Sequence, residues 1–348
     1  MAVLRALCLY SDAVGGVSAR YAHILNISAL HGGITNRLYR VSLSTIPESV
    51  LVRVYGDGSD ILIDRNVDEA VFRELTTYPS GTFGVKLLAT FNDGRIEEYF
   101  EGCRTLNPND LCRIDMSTII AHRMCEMHHL NIKTCKGKNG SIEPVLIDKL
   151  RSWHKIASSA LLDSSKEEVL TSANLQSIGH EIEHVIFQKV IQTVFSPVVF
   201  CHNDLLAGNI LVRGETKKDL EMVFVDFEYS NYNYRGFDIG NHFCEFSGFD
   251  YSVFEQKWPN KRQQLFFLNA YLDRERELAG VLLDEKDQRI QLESLYVEVN
   301  QYALASHLFW GLWACIQYNF SSVDFDYIKY AIGRFDAYFI AKKNLNEF

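Results

Sequence analysis

The chain has 348 residues. Because a single hydrophobic core stops growing near about 250 to 300 residues, a chain of this length is expected to form two lobes. Its composition, 47% hydrophobic and 23% charged with 6 prolines, is typical of a folded protein and leaves little room for disordered tails. The formal net charge of -9 argues against nucleic acid or an anionic membrane surface as a partner and is compatible with a cationic ligand.

The cysteines and the N-terminus bear on the compartment. The eight cysteines contain no C-x-x-C pair and no regular spacing, so reduced cytosolic thiols are predicted rather than zinc ligands or a disulfide framework. The N-terminal run AVLRALCLY is short, is interrupted by Arg5 and lacks a cleavage pattern, which argues against a signal peptide. No apolar run reaches the roughly 20 residues of a membrane span. We expect a cytoplasmic protein without a membrane span, and a homodimer is left open.

The first predicted elements are strands. Residues 20–102 contain short apolar runs, such as 50–56 and 84–91, separated by glycine, aspartate and asparagine turns. One helix, 68–75, interrupts them. From 110 to 130 the apolar residues recur at three- and four-residue spacing, which predicts a helix. The change in pattern places a domain boundary near residue 102.

The second part of the chain reads as mostly helical. Residues 145–195 predict two helices, and long helices are predicted from 261 onward. Between them, 197–227 returns to short apolar runs joined by the turn RGETKKD, which predicts a hairpin inside a helical lobe. The class is therefore α+β, with domains 1–102 and 103–348.

The stretch FCHNDLLAGNILV places His202, Asp204 and Asn209 at the spacing H-x-D-x-x-x-x-N of a kinase catalytic loop, and VFVDF places Asp226 seventeen residues further on. Phosphoryl transfer needs a carboxylate at the attacking hydroxyl, and an amide oxygen and a second carboxylate to hold magnesium against the phosphates. In this interpretation Asp204 is the base, and Asn209 and Asp226 are the metal ligands. The alternative for the H-x-D element is an ordinary hydrogen-bonded turn.

Two features of the strand-rich region fit the order in which a kinase arranges its functional elements along the chain. HGGITNRLYRV, 31–41, contains a Gly-Gly turn whose backbone could approach nucleotide phosphates, although an ordinary hairpin turn also explains it. Arg53 stands where protein kinases place a strand lysine, and Asp68 or Glu69 on the next helix could pair with it. Surface ion pairing is the alternative.

FCHNDLLAGNILV, DFEYSNYNYRGFDIGNHFCEF (226–246) and SHLFWGLWACIQY (306–318) together resemble the choline and ethanolamine kinase family, from about residue 30 to the C-terminus. The resemblance implies a two-lobed protein-kinase-like fold, with a small antiparallel-sheet N-lobe that binds nucleotide and a large, mostly helical C-lobe for catalysis and amine binding. It also implies ATP, Mg2+ and a small amino alcohol as the acceptor.

Residue roles follow from the resemblance. Asp204 matches the catalytic aspartate, Asn209 and Asp226 the magnesium ligands, and Asp238 a residue that braces the catalytic loop, for which a helix N-cap is the alternative. The nucleotide site would comprise Gly33, Thr35, Asn36, Arg53, Glu98, Tyr99 and Phe100. The amine pocket would comprise Glu245, Tyr251, Trp310, Trp313 and Tyr330, with Phe249 as a replacement for Tyr251. An aromatic pair at helical spacing is otherwise usually core.

The acceptor is predicted from the same resemblance. HNDLL, with Leu205 and Leu206, resembles ethanolamine-type sequences, whereas choline-type sequences commonly place glutamine at the second leucine. The expected activity is ATP-dependent formation of phosphoethanolamine, the first step of phosphatidylethanolamine synthesis by the CDP-ethanolamine route. The alternatives are a choline or dual choline/ethanolamine kinase, a phosphotransferase for another small alcohol, and an inactive binding module.

Overall fold

The computed structural model describes residues 25–30, 35–43, 46–56, 58–78, 83–162, 174–214 and 219–345. They form two compact units. The first contains the chain up to Thr105 together with Leu211–Glu228 and Phe320–Phe325, and the second contains Leu106–Ile210, Tyr229–Asn319 and the residues from Asp326 onward. These units differ from the predicted domains because the two later segments join the first unit; as functional lobes, 1–102 and 103–348 stay a prediction.

An antiparallel sheet organises the first unit. Its strands are β1 (Leu25–Leu30), β2 (Asn36–Leu43), β3 (Ile46–Tyr55), β4 (Leu87–Phe91) and β5 (Gly94–Glu98), in the order β1-β2-β3-β5-β4. Alternation along β2, β3 and β5 directs Val41, Val52 and Ile96 to a common buried face. The other face of β3 and β5 carries buried charged residues.

Helix α1 (Arg65–Thr76) confirms the helix predicted at 68–75. It begins where the Asp64 side chain accepts hydrogen bonds from the backbone N–H groups of Asn66 and Val67, which satisfies two donors of the first turn. Val71, Phe72 and Leu75 are buried on one side of it.

Helices dominate the second unit. They are α2 (Pro108–Leu111), α3 (Ile114–His128), α4 (Leu146–Leu162), α5 (Leu175–Glu181, continuing in wider turns through Ile182–Ile191), α6 (Arg235–Cys244), α7 (Phe254–Lys257), α8 (Lys261–Ala279), α9 (Glu285–Phe320) and α10 (Tyr327–Leu345). Strands β7 (Val198–Cys201) and β10 (Asn231–Tyr234) pair antiparallel. The helical periodicity predicted over 110–130 is confirmed for most of that range by α3, while Cys112 and Arg113 separate α3 from α2, which ends at Leu111.

The hairpin predicted over 197–227 is partly wrong. Strand β7 pairs with β10, whereas β8 (Ile210–Arg213) and β9 (Glu221–Phe224) are neighbours in a sheet of order β6-β8-β9, with β6 at Arg104–Thr105. Most of this sheet clusters with the first unit. The sequence does not reveal this, since the pairing of β6 with β8 joins segments about a hundred residues apart.

The predicted α+β class is confirmed, with an antiparallel sheet before residue 105 and mostly helices after it. Among the described residues, no helix combines the length and the apolar character that crossing a membrane requires.

Candidate functional site

The segment that follows β7 contains the predicted catalytic loop, and α6 holds its first residues. The Asp238 carboxylate accepts hydrogen bonds from the backbone N–H groups of His202 (2.9 Å) and Asn203 (2.7 Å). Asn203 has a φ of 65°, a left-handed conformation that asparagine tolerates better than most residues. Its side chain donates to the Tyr229 carbonyl and accepts from Asn233, both at 2.9 Å. This buried network fixes the backbone that leads into the catalytic residues.

Asp238 makes the predicted bracing contacts and is not a helix cap. The N-cap of α6 is Tyr234. His128 Nε2 also lies 3.0 Å from Asp238 Oδ2. Burial acts to raise the pKa of Asp238, but hydrogen bonds from His128 and from the loop backbone outweigh it and lower that pKa. His128, Cys201 and Asp238 offer atoms within 4.8 Å of one another, yet both Asp238 oxygens already accept hydrogen bonds, so we interpret the group as a brace rather than a metal site.

Asp204 and Asn209 lie together at the two ends of the loop. The Asn209 Nδ2 group donates to the Asp204 carbonyl (2.8 Å) and to Asp204 Oδ2 (3.2 Å). A short 3-10 turn, Ala207–Asn209, brings the two residues to this separation. Because the amide nitrogen of Asn209 faces Asp204, its amide oxygen is left for another partner. The Asp204 carboxylate is thereby held in one orientation while remaining partly exposed.

The predicted amine residues include four rings, and the structure brings all four into one cluster. Trp310 and Trp313 on α9 have ring centroids 5.6 Å apart. Tyr330 lies 6.4 Å from Trp313 and 5.5 Å from Tyr251, in edge-on arrangements. None of the four is more than 6% exposed. Phe249 also contacts Tyr330 but is 42% exposed, so Tyr251 is the buried member of that pair.

Tyr229 belongs to this aromatic cluster although sequence reasoning did not single it out. Its hydroxyl accepts a hydrogen bond from Trp313 Nε1 at 2.8 Å, and its ring lies 5.2 Å from that of Trp310. Trp310 Nε1 donates to Asn241 Oδ1 at 2.8 Å. The one feature of the sequence that could have pointed to Tyr229 is its position in DFEY, three residues after Asp226.

Glu245 is ion-paired, which the sequence did not indicate. Arg334 NH1 lies 3.1 Å from Glu245 Oε1 and also contacts the Tyr251 hydroxyl, and Arg334 NH2 donates to the Ser306 carbonyl at 2.8 Å. Burial raises the pKa of Glu245, while the Arg334 guanidinium opposes this. Arg334 is fully buried, four residues after Tyr330 in α10, and that helical spacing was the only sequence signal for it.

Electrostatics connect the catalytic loop to the aromatic cluster. Burial raises the pKa of the Tyr330 phenol; Arg334 opposes this, and the Glu245 and Asp204 carboxylates add to the rise. The Asp204 carboxylate therefore lies close enough to Tyr330 to disfavour ionisation of its phenol. An amino alcohol whose ammonium lies against the aromatic rings could present its hydroxyl to Asp204.

Arg53 lies in the first unit, at the centre of a buried ion cluster. Its Nε lies 2.8 Å from Glu97 Oε1, and its NH1 lies 3.0 Å from Asp226 Oδ2. The expected pairing with Asp68 or Glu69 is wrong: Asp68 pairs with other arginines, and Glu69 pairs with a residue of its own helix. Strand register explains the difference: Arg53 lies opposite Arg95, and Glu97, two residues along β5 from Arg95, is the diagonal neighbour of Arg53 on the same face of the sheet.

Alternating charges extend this cluster. Arg95 contacts Glu97 and Asp68, both at 2.7 Å. Arg65 contacts Asp68 at 3.2 Å and Glu228 at 2.9 Å. The chain of contacts thus runs from Asp226 through three arginines to Glu228, the third residue of DFE. Burial and the neighbouring Asp226 raise the pKa of Glu228.

The surroundings of the Asp226 carboxylate suit a magnesium ligand. Its Oδ1 is buried and has no hydrogen-bond partner, while Oδ2 is held by Arg53. An orphaned carboxylate oxygen is costly unless a cation or donor satisfies it. A carboxylate oxygen is a hard donor of the kind that Mg2+ prefers. Asp226 also has a φ of 68°, an uncommon conformation that clusters at functional sites.

The remaining predicted nucleotide residues lie in or beside the five-stranded sheet. Asn36 begins β2 and donates to Glu228 at 3.0 Å. Glu98 ends β5, and its Oε2 accepts from the Lys86 backbone at 3.2 Å. The Thr35 carbonyl oxygen occupies the space that a Cβ would need at Gly56. The ring of Tyr99 lies against the Arg40 guanidinium, and the ring of Phe100 lies against that of Arg213. Gly33 lies outside the described residues.

Comparison with known proteins gives a consistent result. The family model described as choline/ethanolamine kinase matches residues 27–339. A choline/ethanolamine kinase of Rattus norvegicus is 35% identical over 345 residues, covering 93% of this chain and 82% of the relative. A probable ethanolamine kinase A of Dictyostelium discoideum is 37% identical over 322 residues, covering 90% and 85% respectively.

A solved structure supports the same grouping. An ethanolamine kinase of Plasmodium vivax superposes with a TM-score of 0.78 at 25% sequence identity, covering 94% of this chain and 86% of that one.

Proposed function

The chain belongs to the choline/ethanolamine kinase family, and from this premise we propose that it transfers the γ-phosphoryl group of ATP to the hydroxyl of ethanolamine, giving phosphoethanolamine and ADP. The observation that carries the proposal is the braced Asp204–Asn209 pair within electrostatic reach of a buried aromatic cluster that contains Glu245. Relatives named ethanolamine kinase support the acceptor.

Asp204 has the role of positioning the acceptor. Its carboxylate accepts a hydrogen bond from the substrate hydroxyl, whose oxygen then attacks the γ-phosphorus. An oxygen–phosphorus bond forms, the bond to the bridging oxygen of ADP breaks, and the hydroxyl proton passes to Asp204 and then to solvent. Because Asn209 and the bracing network restrict the loop, little orientational freedom is lost at this step.

The nucleotide is assigned to residues of the first unit. We assign Arg53 to the phosphates, and Gly33, Thr35, Asn36, Glu98, Tyr99 and Phe100 to the rest of the nucleotide. Asn209 and Asp226 would hold Mg2+, which supplies positive charge to the phosphates when bound. The orphaned Asp226 Oδ1 supports this assignment.

The ammonium group is assigned to Glu245 and to the rings of Tyr251, Trp310, Trp313 and Tyr330. A primary ammonium offers N–H donors to a carboxylate, and ring faces attract the same charge. Choline is the second candidate acceptor, because a cluster this rich in buried rings suits a quaternary ammonium, which has no donors.

Phosphoethanolamine formation would place the protein at the first step of phosphatidylethanolamine synthesis by the CDP-ethanolamine route, in the cytoplasm. Every cysteine in the described part of the chain is a free thiol, which supports a reducing compartment.

The test is ADP release with ethanolamine, choline and an aminoglycoside as acceptors, with the phosphorylated product identified by mass. We expect ethanolamine to give the highest kcat/KM. Asp204→Asn keeps the shape and the contact with Asn209 but removes the charge, so kcat should fall by roughly a thousandfold while ATP binding persists.

Asp336→Asn is the matched control, because Asp336 is exposed on α10. Wild-type-like turnover in Asp204→Asn would contradict the assignment of the base. A choline kcat/KM equal to or above that of ethanolamine would overturn the acceptor and leave the kinase assignment standing.

A further inference from the structure

Helix α4 places a lysine against the aromatic cluster, where no predicted role uses it. Lys149 Nζ lies over the Trp153 ring, 5.3 Å from its centroid, and over the Tyr229 ring at 5.8 Å. Lys149 and Trp153 are four residues apart on the same face of α4. Tyr229 in turn contacts Trp310 and Trp313. The lysine ammonium is therefore one ring away from the two tryptophans assigned to the amine.

Lys149 is half-buried, and its ammonium lies beside the rings of Trp153 and Tyr229. Burial lowers the pKa of Lys149 to about 8, so the group still carries its proton at pH 7 but has lost much of its hydration. A desolvated ammonium over an aromatic face is attracted to the ring more strongly than an exposed one. Lys149 thus acts as a cation built into the edge of the aromatic cluster.

Two kinds of ligand would respond differently to this internal cation. A quaternary ammonium has no N–H donors and binds through ring faces and Coulomb attraction. A primary ammonium can also donate hydrogen bonds to a carboxylate such as Glu245. The Lys149 ammonium already interacts with the Tyr229 ring, and its charge repels a second cation. Both effects weaken ring and Coulomb attraction, on which a quaternary ammonium depends entirely. A primary ammonium keeps its hydrogen bonds to the carboxylate and therefore loses a smaller share of its binding.

We propose that Lys149 is a specificity-determining residue that weakens binding of quaternary ammonium ligands at the amine site relative to primary ones. The inference rests on the proposed function for the location of that site. Lys149 is not one of the residues assigned to the ammonium; it acts through Tyr229 and so affects the selection between ethanolamine and choline.

The experiment compares Lys149→Met, which keeps an apolar stem of similar length and removes the charge, with Lys149→Arg, which keeps the charge. The matched control is Lys155→Met, an exposed lysine on the same helix. Two quantities are measured: the ratio of kcat/KM for choline to that for ethanolamine, and the binding of tetramethylammonium by calorimetry. Tetramethylammonium has no hydroxyl, so its binding reports the amine site without any reaction.

In Lys149→Met we expect the choline-to-ethanolamine ratio to rise about fivefold and tetramethylammonium to bind about fivefold more tightly, the size of one cation–aromatic contact. Lys149→Arg and Lys155→Met should stay near the wild type. An unchanged ratio and unchanged binding in Lys149→Met would overturn the inference, as would an equal rise in Lys149→Arg. If wild type phosphorylates neither amine, the proposed function fails, and tetramethylammonium binding alone then decides the role of Lys149.

Discussion

Asp226 combines a left-handed backbone, a carboxylate oxygen held by Arg53 and a second oxygen that is buried without a partner. The backbone matters for the choice of substitution. Alanine at a φ of 68° would add strain, whereas asparagine tolerates this region nearly as well as aspartate. Asp226→Asn therefore tests the metal ligand with little disturbance of the fold.

We expect Asp226→Asn to raise the Mg2+ concentration for half-maximal activity at least about tenfold, because an amide is a poorer ligand for this hard cation than a carboxylate. The measurement is activity titrated with MgCl2 at saturating ATP, with the thermal midpoint as a check on folding. An unchanged Mg2+ dependence would mean that Asp226 serves only as the partner of Arg53.

Arg334 is the residue whose loss should most change the behaviour of Glu245. Arg334→Met would leave the Glu245 carboxylate buried without its cation, so the pKa of Glu245 would rise further and the protonated fraction near neutral pH would grow. A protonated carboxyl attracts an ammonium weakly. The KM for ethanolamine should therefore rise several-fold at pH 6.5 and fall again as the pH approaches 9.

Arg334→Lys, which keeps the charge, is the control, and the double variant Arg334→Met/Glu245→Gln removes the unpaired charge. The double variant should regain stability relative to Arg334→Met and lose the pH dependence of KM. A pH-independent KM in Arg334→Met would show that Glu245 does not meet the ammonium.

At the scale of elements, α1 carries two adjacent acidic residues in opposite environments. Asp68 is fully buried and contacts the fully buried Arg95, whereas Glu69 pairs with the exposed Arg73 one turn along the helix. Substitutions at these two positions share the same helix, so a difference between their effects on the free energy of unfolding reports the burial of the side chain.

Asp68→Asn should destabilise the protein by about 3 to 5 kcal/mol, because it leaves the buried Arg95 without one of its two charged partners. Glu69→Gln should change the free energy of unfolding by less than about 0.5 kcal/mol. Both are measured by denaturant unfolding of the same preparation. Equal effects of the two substitutions would contradict a structural role for the buried cluster.

At the scale of the whole molecule, acid stability depends on groups that are buried uncharged. His242 Nδ1 lies 2.9 Å from the Leu205 carbonyl and therefore donates to it, while Nε2 is buried without a partner. Burial lowers the pKa of His242 to about 4. The unfolded chain, with a histidine pKa of about 6.5, binds a proton at a higher pH than the folded chain does, so stability falls as the pH drops from 6.5 towards 4.

His242→Asn keeps a donor for the Leu205 carbonyl and cannot titrate. Between pH 7 and pH 5 the wild type should lose about 2 kcal/mol more than this variant. The measurement is the free energy of unfolding of both proteins at the two pH values. If the free energy of unfolding falls equally in both proteins between pH 7 and pH 5, His242 does not determine the loss of stability in acid.

Local patterns in the sequence determined the helix at 68–75 and the α+β class, because periodicity and turn residues act over short distances. The H-x-D-x-x-x-x-N spacing likewise indicated that Asp204 and Asn209 lie together, since five residues and one turn connect them.

Only the tertiary structure decided which distant groups meet. The partner of Arg53 is Glu97 rather than a residue of α1, Glu245 is paired with Arg334, and Lys149 lies over Tyr229. These contacts join residues 44 to 89 positions apart in the chain. Strand register, helix packing and burial select such pairs, and none of the three is encoded in a local pattern of residues.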